Sequence, residues 1–79
     1  MSLTADQRRA LAMLATAGPD GVAQSLLSAH GFDATMIAGL VNRGLATLTM
    51  EKVRADGKLI AVAMVRITEA GRRALAAAG

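Results

Sequence analysis

The chain has 79 residues, a net charge of +3 and an isoelectric point near 10.7, enough for one small domain. It contains no cysteine, tryptophan or tyrosine, one histidine (His30) and one phenylalanine (Phe32), so disulfides, thiolate metal sites, cysteine nucleophiles and aromatic base-stacking platforms are excluded. Apolar residues make up 53%, but 18 of these are alanine, which leaves 24 larger side chains for a thin core.

In chain order, Thr4-Ala5-Asp6-Gln7 has the pattern of a capping box. Ala10, Leu11 and Leu14 then recur at helical spacing, so a helix is expected over residues 4–17, closed by Gly18-Pro19. A second, shorter helix is expected over 21–30, with Val22, Ala23, Leu26 and Leu27 on its apolar face and His30 at its end. Gly31-Phe32-Asp33 is a tight connection, with Phe32 as a core plug and Asp33 as the N-cap of a third helix over 34–43. Ile37, Leu40 and Val41 share the inner face of that helix, and Gly44 ends it. The five methionines are expected to fill gaps in the core.

At Gly44 the hydrophobic period changes from helical to alternating. Residues 45–54 and 59–67 are expected to form antiparallel strands, joined by a hairpin turn at Asp56-Gly57 with Lys58 near its tip. A short strand near residue 20 could pair with this hairpin. Thr68 caps a last helix over 68–77, in which Ala70, Ala74 and Leu75 face the core and the alanine-rich end frays. Gly71 costs about 1 kcal/mol of helix propensity relative to alanine, which points to close backbone packing against the hairpin or the first helix.

The expected class is α+β, mostly α, with the order α-α-α-β-β-α in a single domain over 1–79. Three stretches carry a resemblance to a known family. They are Gly31-Phe32-Asp33-Ala34-Thr35-Met36-Ile37-Ala38-Gly39-Leu40-Val41, the Leu40-Val41-Asn42-Arg43-Gly44-Leu45 exit from the third helix, and the Val65-Arg66-Ile67-Thr68-Glu69-Ala70-Gly71-Arg72-Arg73-Ala74-Leu75 entry into the last helix. In these the chain resembles the winged helix-turn-helix domains of MarR-type and PadR-type bacterial transcriptional regulators, in a small single-domain form. The resemblance implies a two-stranded wing and double-stranded DNA as the partner, with no cofactor.

Under that reading helix 34–43 enters the major groove. Its outward side carries Thr35, Ala38, Gly39 and Asn42, flanked by Arg43. Thr35 and Asn42 suit base edges, Ala38 a thymine methyl, and Gly39 a close backbone approach. Lys52, Arg54 and Lys58 on the wing suit phosphates. Arg8, Arg9, Arg72 and Arg73 read as solvated charges.

No carboxylate pair, phosphate-binding glycine loop or activated nucleophile stands out, so an enzyme is not expected. The first residues lack a signal-peptide pattern, and no apolar run reaches membrane-spanning length. The expectation is therefore a cytoplasmic protein without membrane association. The alternative is a winged-helix module for protein–protein contact without sequence-specific DNA binding. Ile60, Val62 and Met64 alternate with Ala61, Ala63 and Val65, so both faces of the second strand are apolar and a homodimer is a further expectation.

Overall fold

A computed structural model describes residues 3–78. It is an α+β fold of four helices and a three-stranded antiparallel sheet. The elements are α1 (Ala5–Ala17), a 3-10 turn (Gly18–Asp20), β1 (Val22–Ala23), α2 (Gln24–Ala29), α3 (Ala34–Asn42), β2 (Ala46–Ala55), β3 (Lys58–Ile67) and α4 (Glu69–Ala78). No helix is long and apolar enough to cross a membrane among the described residues.

The capping box of α1 is present in both directions. The Gln7 amide donates to Thr4 Oγ1, and the Thr4 amide donates to Gln7 Oε1, each at 3.0 Å. Ala10, Leu11 and Leu14 are fully buried. They meet Leu27, Phe32, Ile37, Leu40, Leu45 and Val65 in one core, with Ala70, Ala74 and Leu75 of α4 packed against it. Phe32 fills its expected place between α2 and α3, and Arg9 lies over its ring at 5.7 Å.

The second helix is shorter than its periodicity predicts. Val22 and Ala23 instead form the short strand that could pair with the hairpin, opposite Val65 and Met64 of β3. The two-stranded hairpin therefore becomes a three-stranded sheet with the order β1-β3-β2. Gly21 makes this possible: at φ +78° its own Cβ would lie 2.5 Å from the Val65 carbonyl oxygen. Without a side chain there, the backbone can close onto β3, and Val22 is buried from the strand and not from a helix.

The hairpin turns where Asp56-Gly57 requires. Both residues have positive φ, 52° and 75°, which matches the right-handed twist of the flanking strands in a two-residue turn. Ten residue pairs follow, from Ala55–Lys58 to Ala46–Ile67. Strands of that length run about 33 Å, and the molecule measures 44 × 21 × 20 Å. At its base the hairpin packs through Val65 and Ala46, both buried. Further out neither face is covered by the body: Met50 is 64% exposed and Leu59 62% on one face, Val53 43% and Ile60 47% on the other. Met50 thus departs from the expectation that the methionines fill the core, whereas Met13 and Met36 pack against it.

The last helix runs from Glu69 to Ala78, one residue past the expected end at 77; Met1, Ser2 and Gly79 lie outside the described residues. Thr68 joins three elements at its start. Its hydroxyl donates to the Gly44 carbonyl at 2.6 Å and accepts the Gly71 amide at 3.0 Å, while its own amide donates to the Leu45 carbonyl at 3.1 Å. Gly71 is buried, and a Cβ on it would overlap the Leu45 carbonyl oxygen and lie 2.8 Å from Ile67 Cγ1. The close approach expected of Gly71 is therefore to the base of the hairpin, not to α1.

Candidate nucleic-acid interface

Helix α3 is oriented by its two ends. At the start, the Asp33 carboxylate accepts the Met36 amide at 2.8 Å, an N-cap that fixes where the helix begins. At the end, Gly44 takes φ +74°, and the Gly44 and Leu45 amides donate to the Val41 and Leu40 carbonyls at 2.9 and 3.0 Å. These bonds satisfy the last carbonyls and turn Leu45 into the core. Ile37 and Leu40 are fully buried on the inner side.

With that side fixed, the 100° step of the helix sets the outer one. Thr35, Ala38 and Asn42 are exposed together, with Gly39 half-exposed among them. Gly39 differs from Gly71 in a telling way. It has ordinary helical geometry, and a Cβ on it would meet nothing within 4 Å among the described residues. Packing inside the protein therefore gives no reason for a glycine that weakens the helix by about 0.8–1.0 kcal/mol relative to alanine.

Arg43 is not on this face. It is half-buried, and its Nη1 donates to Gln7 Oε1 at 3.2 Å, joining the end of α3 to the capping box of α1. The flanking position read for it from spacing does not allow for this partner, 36 residues away in sequence.

The hairpin cations are exposed but divided between faces. The register places Lys52 and Arg54 on the face of Met50 and Leu59, and Lys58 on the face of Val53 and Ile60. None of the three forms an ion pair among the described residues, whereas Arg9, Arg66 and Arg73 pair with Asp6, Glu51 and Glu69. Asp6 and Asp33 border an open depression beside the start of α3. Asp6 is paired with Arg9 and Asp33 caps α3, so this end of the helix offers no unpaired positive side chain among the residues that border the depression.

Sequence reasoning missed Arg66, which ties the sheet to the 3-10 turn. Its Nε donates to the Pro19 carbonyl at 2.9 Å, and its Nη1 reaches Thr49 Oγ1 at 3.0 Å and Glu51 Oε2 at 2.6 Å. The hydrogen bond from Arg66 holds the Glu51 carboxyl below the usual glutamate range, against partial desolvation; the reciprocal bond raises the Arg66 guanidinium. A lone charge inside the apolar run Val62–Ile67 was the available signal. Its partners depend on the strand register and on the path of residues 18–23.

Comparison with protein-family models, with curated proteins and with solved structures finds no match.

Proposed function

We propose that the protein is a small DNA-binding transcriptional regulator of the winged helix-turn-helix type. In this reading α2 and α3 form the helix-turn-helix, α3 lies in the major groove and the β2–β3 hairpin acts as the wing. Gly39 is the observation that carries it. A helix face of Thr35, Ala38, Gly39 and Asn42, with none of the described residues occupying the space over the glycine, suits a ligand that approaches the backbone closely. Nine residues of helix span about 14 Å, a good fit to a groove about 12 Å wide. Thr35 and Asn42 read base edges, Ala38 touches a thymine methyl, and Lys52, Arg54 and Lys58 hold phosphates. Arg43 keeps α3 against α1, and reaches DNA only by releasing Gln7.

The test is a titration against random duplex DNA at two salt concentrations. Three phosphate contacts from the hairpin give a log–log salt slope of about −2.7. No binding at low salt would leave the second reading, a winged-helix module for protein contact. The exposed Leu26, Met50, Leu59 and Ile60 favour that one.

A further inference from the structure

Arg43, at the C-terminal cap of α3, is the one basic residue in the stretch 34–43. It faces α1 and not the exposed side of Thr35 and Asn42, since its Nη1 donates to Gln7 Oε1 at 3.2 Å. Met36, seven residues earlier and so on the same flank of α3, borders the open depression together with Gln7. The first turns of α1 therefore lie along that flank, with Gln7 as an acceptor for Arg43.

Gln7 Oε1 accepts two bonds at once. The second donor is the Thr4 amide at 3.0 Å, and the Gln7 amide donates in turn to Thr4 Oγ1. When Arg43 leaves, the oxygen keeps the Thr4 amide and the capping box stays closed. Departure thus costs one hydrogen bond and no helix cap. That bond is also a weak one for an arginine. A phosphate is charged and can accept from two guanidinium nitrogens together, and such bonds are roughly twice as strong as those between neutral groups. Arg43 is half-buried and forms no ion pair among the described residues, so no carboxylate has to be given up.

The way out is clear. Gly39 stands one turn before Arg43 on the same row of α3, between Arg43 and the exposed face. The space over it is empty within 4 Å among the described residues, so nothing at that position bars the Arg43 side chain from swinging to the outer side.

We propose that Gln7 and Arg43 form a latch that a DNA phosphate opens. In the free protein Arg43 is held against α1. On a duplex it exchanges the Gln7 oxygen for a phosphate beside the C-terminal end of α3. The latch rests on the regulator reading and adds to it a competition within the protein: Gln7 and the duplex share one guanidinium, and Arg43 joins the three hairpin cations as a phosphate contact only when Gln7 lets go.

Duplex titrations over a salt series test this, using the wild type, Gln7→Glu, Arg43→Gln and the double variant, with nitrogen-15 NMR of the wild type. Glutamate also serves in a capping box, so Gln7→Glu keeps the start of α1 while giving Arg43 a charged partner. It should weaken binding about two- to five-fold, the range of an exposed ion pair. Arg43→Gln should flatten the log–log salt slope by about 0.9. With Arg43 replaced, Gln7→Glu should cost less than it does in the wild type, because only plain repulsion between the new carboxylate and DNA is left. As duplex is added, the Arg43 Nε–H signal should move while the Thr4 amide keeps its protection from exchange. An Arg43 signal unmoved at saturating duplex overturns the latch and leaves the regulator reading standing. So does a Gln7→Glu cost that is equal in both backgrounds. No duplex binding by any of these chains at low salt overturns the regulator reading and the latch with it. If Arg43→Gln fails to fold, the wild-type NMR decides.

Discussion

Gly39 and Gly71 occupy two helices of the same small domain, and replacing each by alanine should move stability in opposite directions. At Gly39 the helical geometry is ordinary and the space for a Cβ is empty. Alanine there should gain the propensity difference of about 0.8–1.0 kcal/mol. For a domain of this size that raises the melting temperature by about 4–8 °C. At Gly71 the same propensity gain is opposed by overlap with the Leu45 carbonyl and a 2.8 Å approach to Ile67 Cγ1. A backbone carbonyl fixed by the Thr68 amide cannot rotate aside, so the steric cost falls at or above the top of the ~1–3 kcal/mol range for overpacking. The net loss should be about 2 kcal/mol, a fall of about 8–16 °C. Thermal unfolding followed by circular dichroism reads both variants. A destabilised Gly39→Ala would refute the claim that nothing in the protein requires glycine there. With the duplex titration added, the same variant should bind DNA more weakly while being more stable. Unchanged binding would remove the support Gly39 gives to the regulator reading.

Thr68→Ala should lose the cap of α4 and the tie to Gly44, costing about 1–2 kcal/mol in chemical denaturation; a loss within error would show that water replaces both bonds. Because the Glu51 carboxyl is held below its ordinary range in the folded protein, its contribution is present above the ordinary glutamate range and fades as pH falls through the lower folded value. Glu51→Gln should therefore flatten the acid side of the stability–pH profile, and identical profiles would refute the role of the Arg66 pair. Lys58→Ala should weaken binding to all duplexes alike and flatten the salt slope by about one unit. Asn42→Ala should instead cost about 1–3 kcal/mol on a preferred site and little on random DNA, and equal losses on both would exclude Asn42 from base reading.

Local chemistry settled much of the molecule from the sequence. The Thr4–Gln7 box, the Asp33 cap, the turn at Gly44 and the Asp56-Gly57 hairpin each depend on residues within a few positions of one another. Their bonds are formed as read. The inner faces of α1 and α3 followed from helical spacing for the same reason. Tertiary structure decided whatever needed a partner distant in the chain. Residues 21–23 read as helix by pattern, yet pairing with β3 and the bare backbone of Gly21 draw them into the sheet. Arg43, read as flanking the outer face of α3, turned to Gln7, and Arg66 found Pro19, Thr49 and Glu51 through the strand register. The alternation of β3 showed that both of its faces are apolar. That the outer hairpin extends past the body depended on where β1 stops and α2 begins.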